Sequence, residues 1–157
     1  PAIMGFAKAF ELSQENKEKE SKRVGELRDY LWKRIDKEIP DVQLNGPSLS
    51  SERLPNNLNV VFMDIEGEAM LLYLDEYGIS CSTGSACTSD SLDPSHVLTA
   101  LGMSYEMAHG SIRFSFGKCN KKSEIDYIMK WLPKIVEFLR EMSPVRMKRK
   151  KHARYKK

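Results

Sequence analysis

Cys87 is the residue whose surroundings point most directly to chemistry. It sits in Thr83-Gly84-Ser85-Ala86-Cys87-Thr88-Ser89-Asp90-Ser91, with no Leu, Ile, Val or Phe within three positions on either side. A structural cysteine is a small hydrophobe wrapped in apolar neighbours. This one reads as presented to solvent on an exposed, mobile loop. A thiol reacts as its thiolate, so it needs exposure together with a nearby cation or hydrogen-bond donors. The loop offers hydroxyls and backbone N–H groups, and a cation must come from elsewhere. Metal ligation is the competing chemistry, since Cys81, Cys87, His96 and Cys119 are four soft donors. No C-x2-C pair accompanies them, although structural zinc sites usually contain one, so no intrinsic metal site is expected. Cys81 and Cys119 are read as small buried residues. Arg113, between Ile112 and Phe114, has two ordinary uses on a strand. It can form a surface ion pair or a guanidinium fork for a carboxylate.

The chain that must position these groups has 157 residues, 41% apolar and 30% charged. That suffices for one core, is too short for two ordinary domains, and excludes wholesale disorder. No apolar run approaches the roughly 18 residues of a membrane-spanning helix. The opening Pro1-Ala2-Ile3-Met4 has no initiator Met, no basic leader and no signal-type apolar run, and the chain is expected to begin within a longer protein. Three cysteines without a secretion signal point to a reducing, cytoplasmic setting with free thiols. The net charge of +3 hides an asymmetry. Residues 145–157 hold eight of the 25 Lys/Arg and no acid, leaving 17 basic against 22 acidic residues elsewhere, a body of net −5.

The apolar spacing of Ile3, Phe6, Ala7 and Phe10, and of Val24, Leu27, Leu31 and Ile35, predicts one long helix or two abutting ones, ended by Pro40. Asn45-Gly46-Pro47 and Ser48-Leu49-Ser50-Ser51 read as turn and loop. Leu58 to Met63 has strand composition, and Glu66 to Tyr77 reads as a helix closed by Gly78. Ile79 to Ser82 is a candidate short strand. Pro94 suits the first turn of a helix to Leu101, and Ser104 the N-cap of the next. Ser111 to Gly117 alternates, with Ile112, Phe114 and Phe116 on one face. Asn120 is read as capping a last helix striped by Ile125, Ile128, Leu132, Ile135, Val136 and Leu139 and kinked at Pro133. This order describes an α+β layer, with helices packed on a small sheet.

Ser82-Thr83-Gly84-Ser85-Ala86-Cys87-Thr88-Ser89, Leu92-Asp93-Pro94-Ser95-His96-Val97-Leu98 and Ala100-Leu101-Gly102 resemble the active-site loop region of NifS/IscS-type cysteine desulfurases, in their long-loop class. The likeness continues through Ala108-His109-Gly110-Ser111-Ile112-Arg113-Phe114-Ser115 and Glu124-Ile125-Asp126-Tyr127. Upstream it includes Leu44-Asn45-Gly46, Pro55-Asn56-Asn57-Leu58-Asn59-Val60 and Glu66-Gly67-Glu68. It covers residues 1–144 in order.

The resemblance implies a pyridoxal-phosphate (PLP) enzyme of the aspartate-aminotransferase type. Residues 1–144 would be its C-terminal small domain with the leading interdomain helix, built on a small, mainly antiparallel sheet. Residues 145–157 would be a basic, disordered tail. In the family the cofactor lysine follows a histidine of the large domain. Here His96, His109 and His152 precede Val97, Gly110 and Ala153, so the chain alone is expected to be inactive. PLP serves as electron sink for substrate L-cysteine. Cys87 would take its sulfur as a persulfide and release L-alanine, and Arg113 would grip the substrate carboxylate. His96 and His109 fall within the matching motifs and are read as helix-surface or packing residues, with no catalytic role assigned to either. It further implies a homodimer in the complete protein and an iron–sulfur scaffold as sulfur acceptor, with Cys87 a shared ligand of a transient [2Fe-2S] cluster. A stand-alone persulfide acceptor is the alternative function. The tail departs from the family's scaffold-binding extension. It reads as a solvated segment, a partner for an acidic surface, or a nucleic-acid contact by charge alone. Without a large domain, Ile3, Phe6 and Phe10 would be exposed and would favour self-association.

Overall fold

Four apolar or buried positions at spacings of four, three and four residues (Val24, Arg28, Leu31, Ile35) draw the C-terminal part of the first helix onto the core. In the computed structural model, which describes residues 1–49, 52–83 and 94–143, that helix, α1, runs unbroken over Ala2–Glu38. Its N-terminal half packs on nothing described: Ile3, Phe6 and Phe10 are 83%, 75% and 60% exposed. Ile39 leaves the helix in extended conformation, donating its N–H to the Ile35 carbonyl at 2.9 Å, and Pro40 has no N–H to continue the ladder.

Three strands follow: β1 (Val42–Leu44), β2 (Asn57–Phe62) and β3 (Ser111–Ser115). They form one antiparallel sheet in the order β1-β2-β3. Val42 pairs with Phe62, Asn59 with Arg113 and Val60 with Ile112. Successive strand side chains alternate faces, so Leu58, Val60, Phe62, Ile112 and Phe114 turn together into the core. Two more helices close over them. These are α2 (Gly67–Glu76), through Met70 and Leu74, and α5 (Lys122–Met142), through Ile125, Met129, Leu132, Ile135, Val136 and Leu139. Tyr30 donates to Asp126 at 2.7 Å and Arg34 to the same carboxylate at 3.0 Å, joining α1 to α5. Two short helices, α3 (His96–Ala100) and α4 (Tyr105–His109), lie before β3. Among the described residues no helix is long and apolar enough to cross a membrane.

Several local expectations change. Residues 79–82 form no strand; only Ser82 pairs, in a single bridge to Arg113. Helix α3 starts at His96 with Ser95 as N-cap, two residues later than Pro94 would start it. The N-cap of α5 is Lys121 rather than Asn120. Glu124 dictates this, because its carboxylate accepts from the Lys121 N–H at 3.2 Å. Asn120 is drawn into the preceding turn, accepting from the Gly117 N–H at 2.7 Å. The α5 helix continues through Pro133 to Met142. Ser104 does cap α4, accepting from the Met107 N–H.

The start of α2 and the end of α4 meet through bare backbone. A Cβ on Gly67 would lie 2.7 Å from the His109 carbonyl oxygen and 3.2 Å from both the Ser111 carbonyl oxygen and Thr83 Cγ2. The first carbonyl ends α4 and the second begins β3, so neither can give way without moving one of these elements. Gly67→Ala is expected to cost about 1–3 kcal/mol, read as a lowered thermal unfolding midpoint. An unchanged midpoint would show that these backbones are not held in contact.

Candidate active site

The face of the sheet turned away from the core carries the polar residues. Strand alternation sets Gln43, Asn57, Asn59, Ser111, Arg113 and Ser115 there. Helix α4 closes one end of this face over Ser111, which is fully buried and donates its hydroxyl to the Met107 carbonyl at 2.9 Å. Arg113, two residues on, is half-buried. Among the described residues its guanidinium has no hydrogen-bond or ion-pair partner, so it forms no surface ion pair with any of them. Its backbone is clamped: the Arg113 N–H donates to the Ser82 carbonyl at 2.7 Å, and the Ser82 N–H donates to the Arg113 carbonyl at 3.1 Å. Ser82, five residues before Cys87 in sequence, is thus tied to the strand bearing Arg113. Cys87 itself, and the rest of Gly84 to Asp93, lie outside the described residues, as do residues 144–157.

A polar brace stands beside Arg113 that composition and periodicity do not announce. Asn45, only 3% exposed, donates from Nδ2 to Asn59 Oδ1 at 2.7 Å and to Ser111 Oγ at 3.0 Å. Its backbone N–H donates to the Asn59 carbonyl at 2.9 Å, and its own carbonyl accepts from Arg53 Nη2. One side chain therefore joins the end of β1 to β2 and β3. The available signal was the pair Asn57 and Asn59 at alternate positions in an otherwise apolar strand. Burial pushes the Arg53 guanidinium pKa down, Arg28 adds to the effect, and Asp29 opposes it.

The remaining candidates are dispersed. Cys119 is exposed in the turn after β3, against the expectation of burial. That turn is built from main chain: Arg23 donates to the carbonyls of Gly117, Lys118 and Asn120, which leaves the Cys119 side chain outside. Cys81 is half-buried. Burial first, and Asp75 second, push its thiol from 9.0 up to about 11. At pH 8 its thiolate fraction is then about 100-fold below that of a thiol at 9. Iodoacetamide should label Cys81 about 100-fold more slowly than an unshifted exposed thiol, the rate rising about tenfold per pH unit. Peptide mass spectrometry over pH 7–9 measures this, and a rate already level by pH 9 would contradict it. His96 is exposed on α3. His109 lies against Tyr105, ring centroids 4.3 Å apart and planes tilted by 52°, its buried Nε2 without a hydrogen-bond partner among the described residues. Among the described residues no three His, Cys, Asp or Glu side chains converge as a metal site.

A family model described as aminotransferase class-V matches residues 1–128. The chain is 52% identical over 143 residues to a cysteine desulfurase IscS of Clostridium botulinum, covering 91% of this chain and 36% of that protein. It is 50% identical over 142 residues to the cysteine desulfurase IscS of Dictyoglomus turgidum, covering 90% and 36%. A solved NifS-like protein from Rickettsia africae matches with a TM-score of 0.74 and 29% identity, over 87% of this chain and 34% of that one. The chain belongs to the aminotransferase class-V family. It spans about a third of the length of the curated relatives it matches.

Proposed function

We propose that this chain supplies two parts of a cysteine desulfurase: Cys87, which receives sulfur, and Arg113, which holds the substrate carboxylate. One observation carries the reading. A half-buried guanidinium with no hydrogen-bond or ion-pair partner among the described residues stands on a polar sheet face, and its own backbone anchors Ser82, five residues before Cys87. That arrangement supports a carboxylate bound by the guanidinium fork within reach of a loop thiol rooted on the neighbouring segment. The relatives' name, cysteine desulfurase, supports L-cysteine as the substrate.

The polar face carries Gln43, Asn57, Asn59, Ser111, Arg113 and Ser115 but no lysine. It fits the carboxylate end of an amino acid and does not fit the aldehyde of PLP, which needs an amine. The cofactor is therefore assigned to the remaining two thirds of the protein, together with its lysine, and this chain alone is inactive. When bound there, PLP supplies the electron sink that weakens the substrate Cβ–S bond. The Cys87 thiolate attacks the substrate sulfur and forms the S–S bond of a persulfide. The Cβ–S pair leaves with the carbon fragment, which takes up a proton and departs as L-alanine. The persulfide then passes to an acceptor in the cytoplasm, an iron–sulfur scaffold, with Cys87 a candidate shared ligand of a transient [2Fe-2S] cluster. The complete protein is a homodimer. The basic tail is read as solvated, with nucleic-acid contact the lesser reading.

The second reading, a stand-alone persulfide acceptor, draws on the lack of any His-Lys pair in this chain. One experiment separates the two. The complete open reading frame is expressed, loaded with PLP and given L-cysteine and a thiol reductant. Desulfurase function predicts alanine and sulfide in equal amounts, with Cys87 the fastest-alkylating thiol. A frame that starts near Pro1, with no alanine formed, supports the acceptor.

A further inference from the structure

The brace beside Arg113 fixes where protons lie. Ser111 has one hydroxyl hydrogen and gives it to the Met107 carbonyl at 2.9 Å. Toward Asn45, 3.0 Å away, Ser111 Oγ acts only as acceptor. Asn45 must therefore present its NH2 group on this side. The Asn59 atom 2.7 Å from that NH2 must then be the acceptor Oδ1. A carboxamide cannot turn both ends to one partner, so the Asn59 NH2 is turned away from Asn45. It finds no partner among the described residues. Asn59 is half-buried and is the direct cross-strand neighbour of Arg113. The backbone bonds of Arg113 go to Ser82, which makes Asn59–Arg113 a non-hydrogen-bonded pair, the kind whose side chains stand closest. Two unfilled donor groups, one cationic and one neutral, thus stand side by side with their backbones fixed by the sheet.

We propose that Asn59 is a second substrate-binding residue, its Nδ2–H donating to the same carboxylate that Arg113 holds. A carboxylate has about four acceptor sites, and the guanidinium fork occupies two. The amide fills a third without adding charge and fixes rotation about the axis of the fork. Asn45 and Ser111 act through Asn59 as positioning residues, because they decide which end of its amide faces the substrate. The inference rests on the carboxylate reading of Arg113.

The test uses the complete PLP-loaded protein and two ligands of equal size, L-alanine and L-alaninamide, which differ only in the carboxylate. Calorimetry gives both affinities. Asn59→Ala should weaken L-alanine about 10- to 100-fold, as expected for a hydrogen bond to a charged group, and leave L-alaninamide within about twofold. Asn59→Asp retains an acceptor for Asn45, so it keeps the brace if Asn59→Ala fails to fold, and it should weaken L-alanine at least as much. Either variant, folded and binding L-alanine normally, overturns the proposal, and so does equal weakening of both ligands. Arg113→Gln separates this from the parent reading. If Arg113→Gln distinguishes the ligands and Asn59→Ala does not, only the Asn59 assignment falls. If Arg113→Gln treats both ligands alike, the carboxylate reading falls first.

Discussion

Cys87→Ser in the complete enzyme is expected to lower alanine release from L-cysteine by at least about 1,000-fold while leaving L-cysteine binding within a few-fold of wild type. The size follows from the role. A nucleophile that forms a covalent intermediate has no substitute in a serine hydroxyl, whose oxygen does not accept sulfur to give a persulfide. Cys81 is a poor replacement, because burial and Asp75 hold its thiol at about 11. Cys119 sits in the turn after β3, whereas Ser82, five residues before Cys87 in sequence, is bonded to the middle of that strand at Arg113. Steady-state alanine release and the equilibrium affinity for L-cysteine read the two quantities separately. Wild-type turnover by Cys87→Ser would remove the assigned role.

Arg113→Gln is the second large effect. Losing a fork that holds a carboxylate should reduce kcat/KM for L-cysteine by about 100- to 1,000-fold. Most of the loss should lie in KM if the carboxylate is held equally in ground and transition states. Lysine keeps the charge but not the planar pair of donors, so Arg113→Lys should recover only part of the loss. Because the backbone of residue 113 makes the Ser82 bonds, both variants keep Ser82 in place. A kcat/KM within threefold of wild type for a folded Arg113→Gln would exclude the carboxylate role.

Local rules carried much of the fold. The periodicity of α2 and α5, the alternation of β3 and the Ser104 cap all depend on residues within a turn or two of each other. What local rules missed depends on distant partners. Strand β1 has three residues next to Pro40 and exists because Val60 and Phe62 pair with it. Asn45 looked like a turn residue in Asn45-Gly46-Pro47. Its burial and its bonds to Asn59 and Ser111 arise only when three segments converge. Cys119 looked like a buried thiol because the turn held by Arg23, almost a hundred residues away in sequence, cannot be read locally. At the candidate site, Cys87 and Arg113 come from the resemblance together with residue chemistry; the backbone pairing of Ser82 with Arg113, which joins two segments distant in sequence, could not be read from either segment alone.

The most direct test of this account is where sulfur first rests on the protein. Complete PLP-loaded enzyme is mixed with L-cysteine without reductant, trapped with iodoacetamide, digested and analysed by peptide mass spectrometry. The account predicts one additional sulfur atom on the peptide containing Cys87, and none on the peptides containing Cys81 or Cys119. An extra sulfur on either of those two, or alanine formed with no sulfur retained on Cys87, would contradict it.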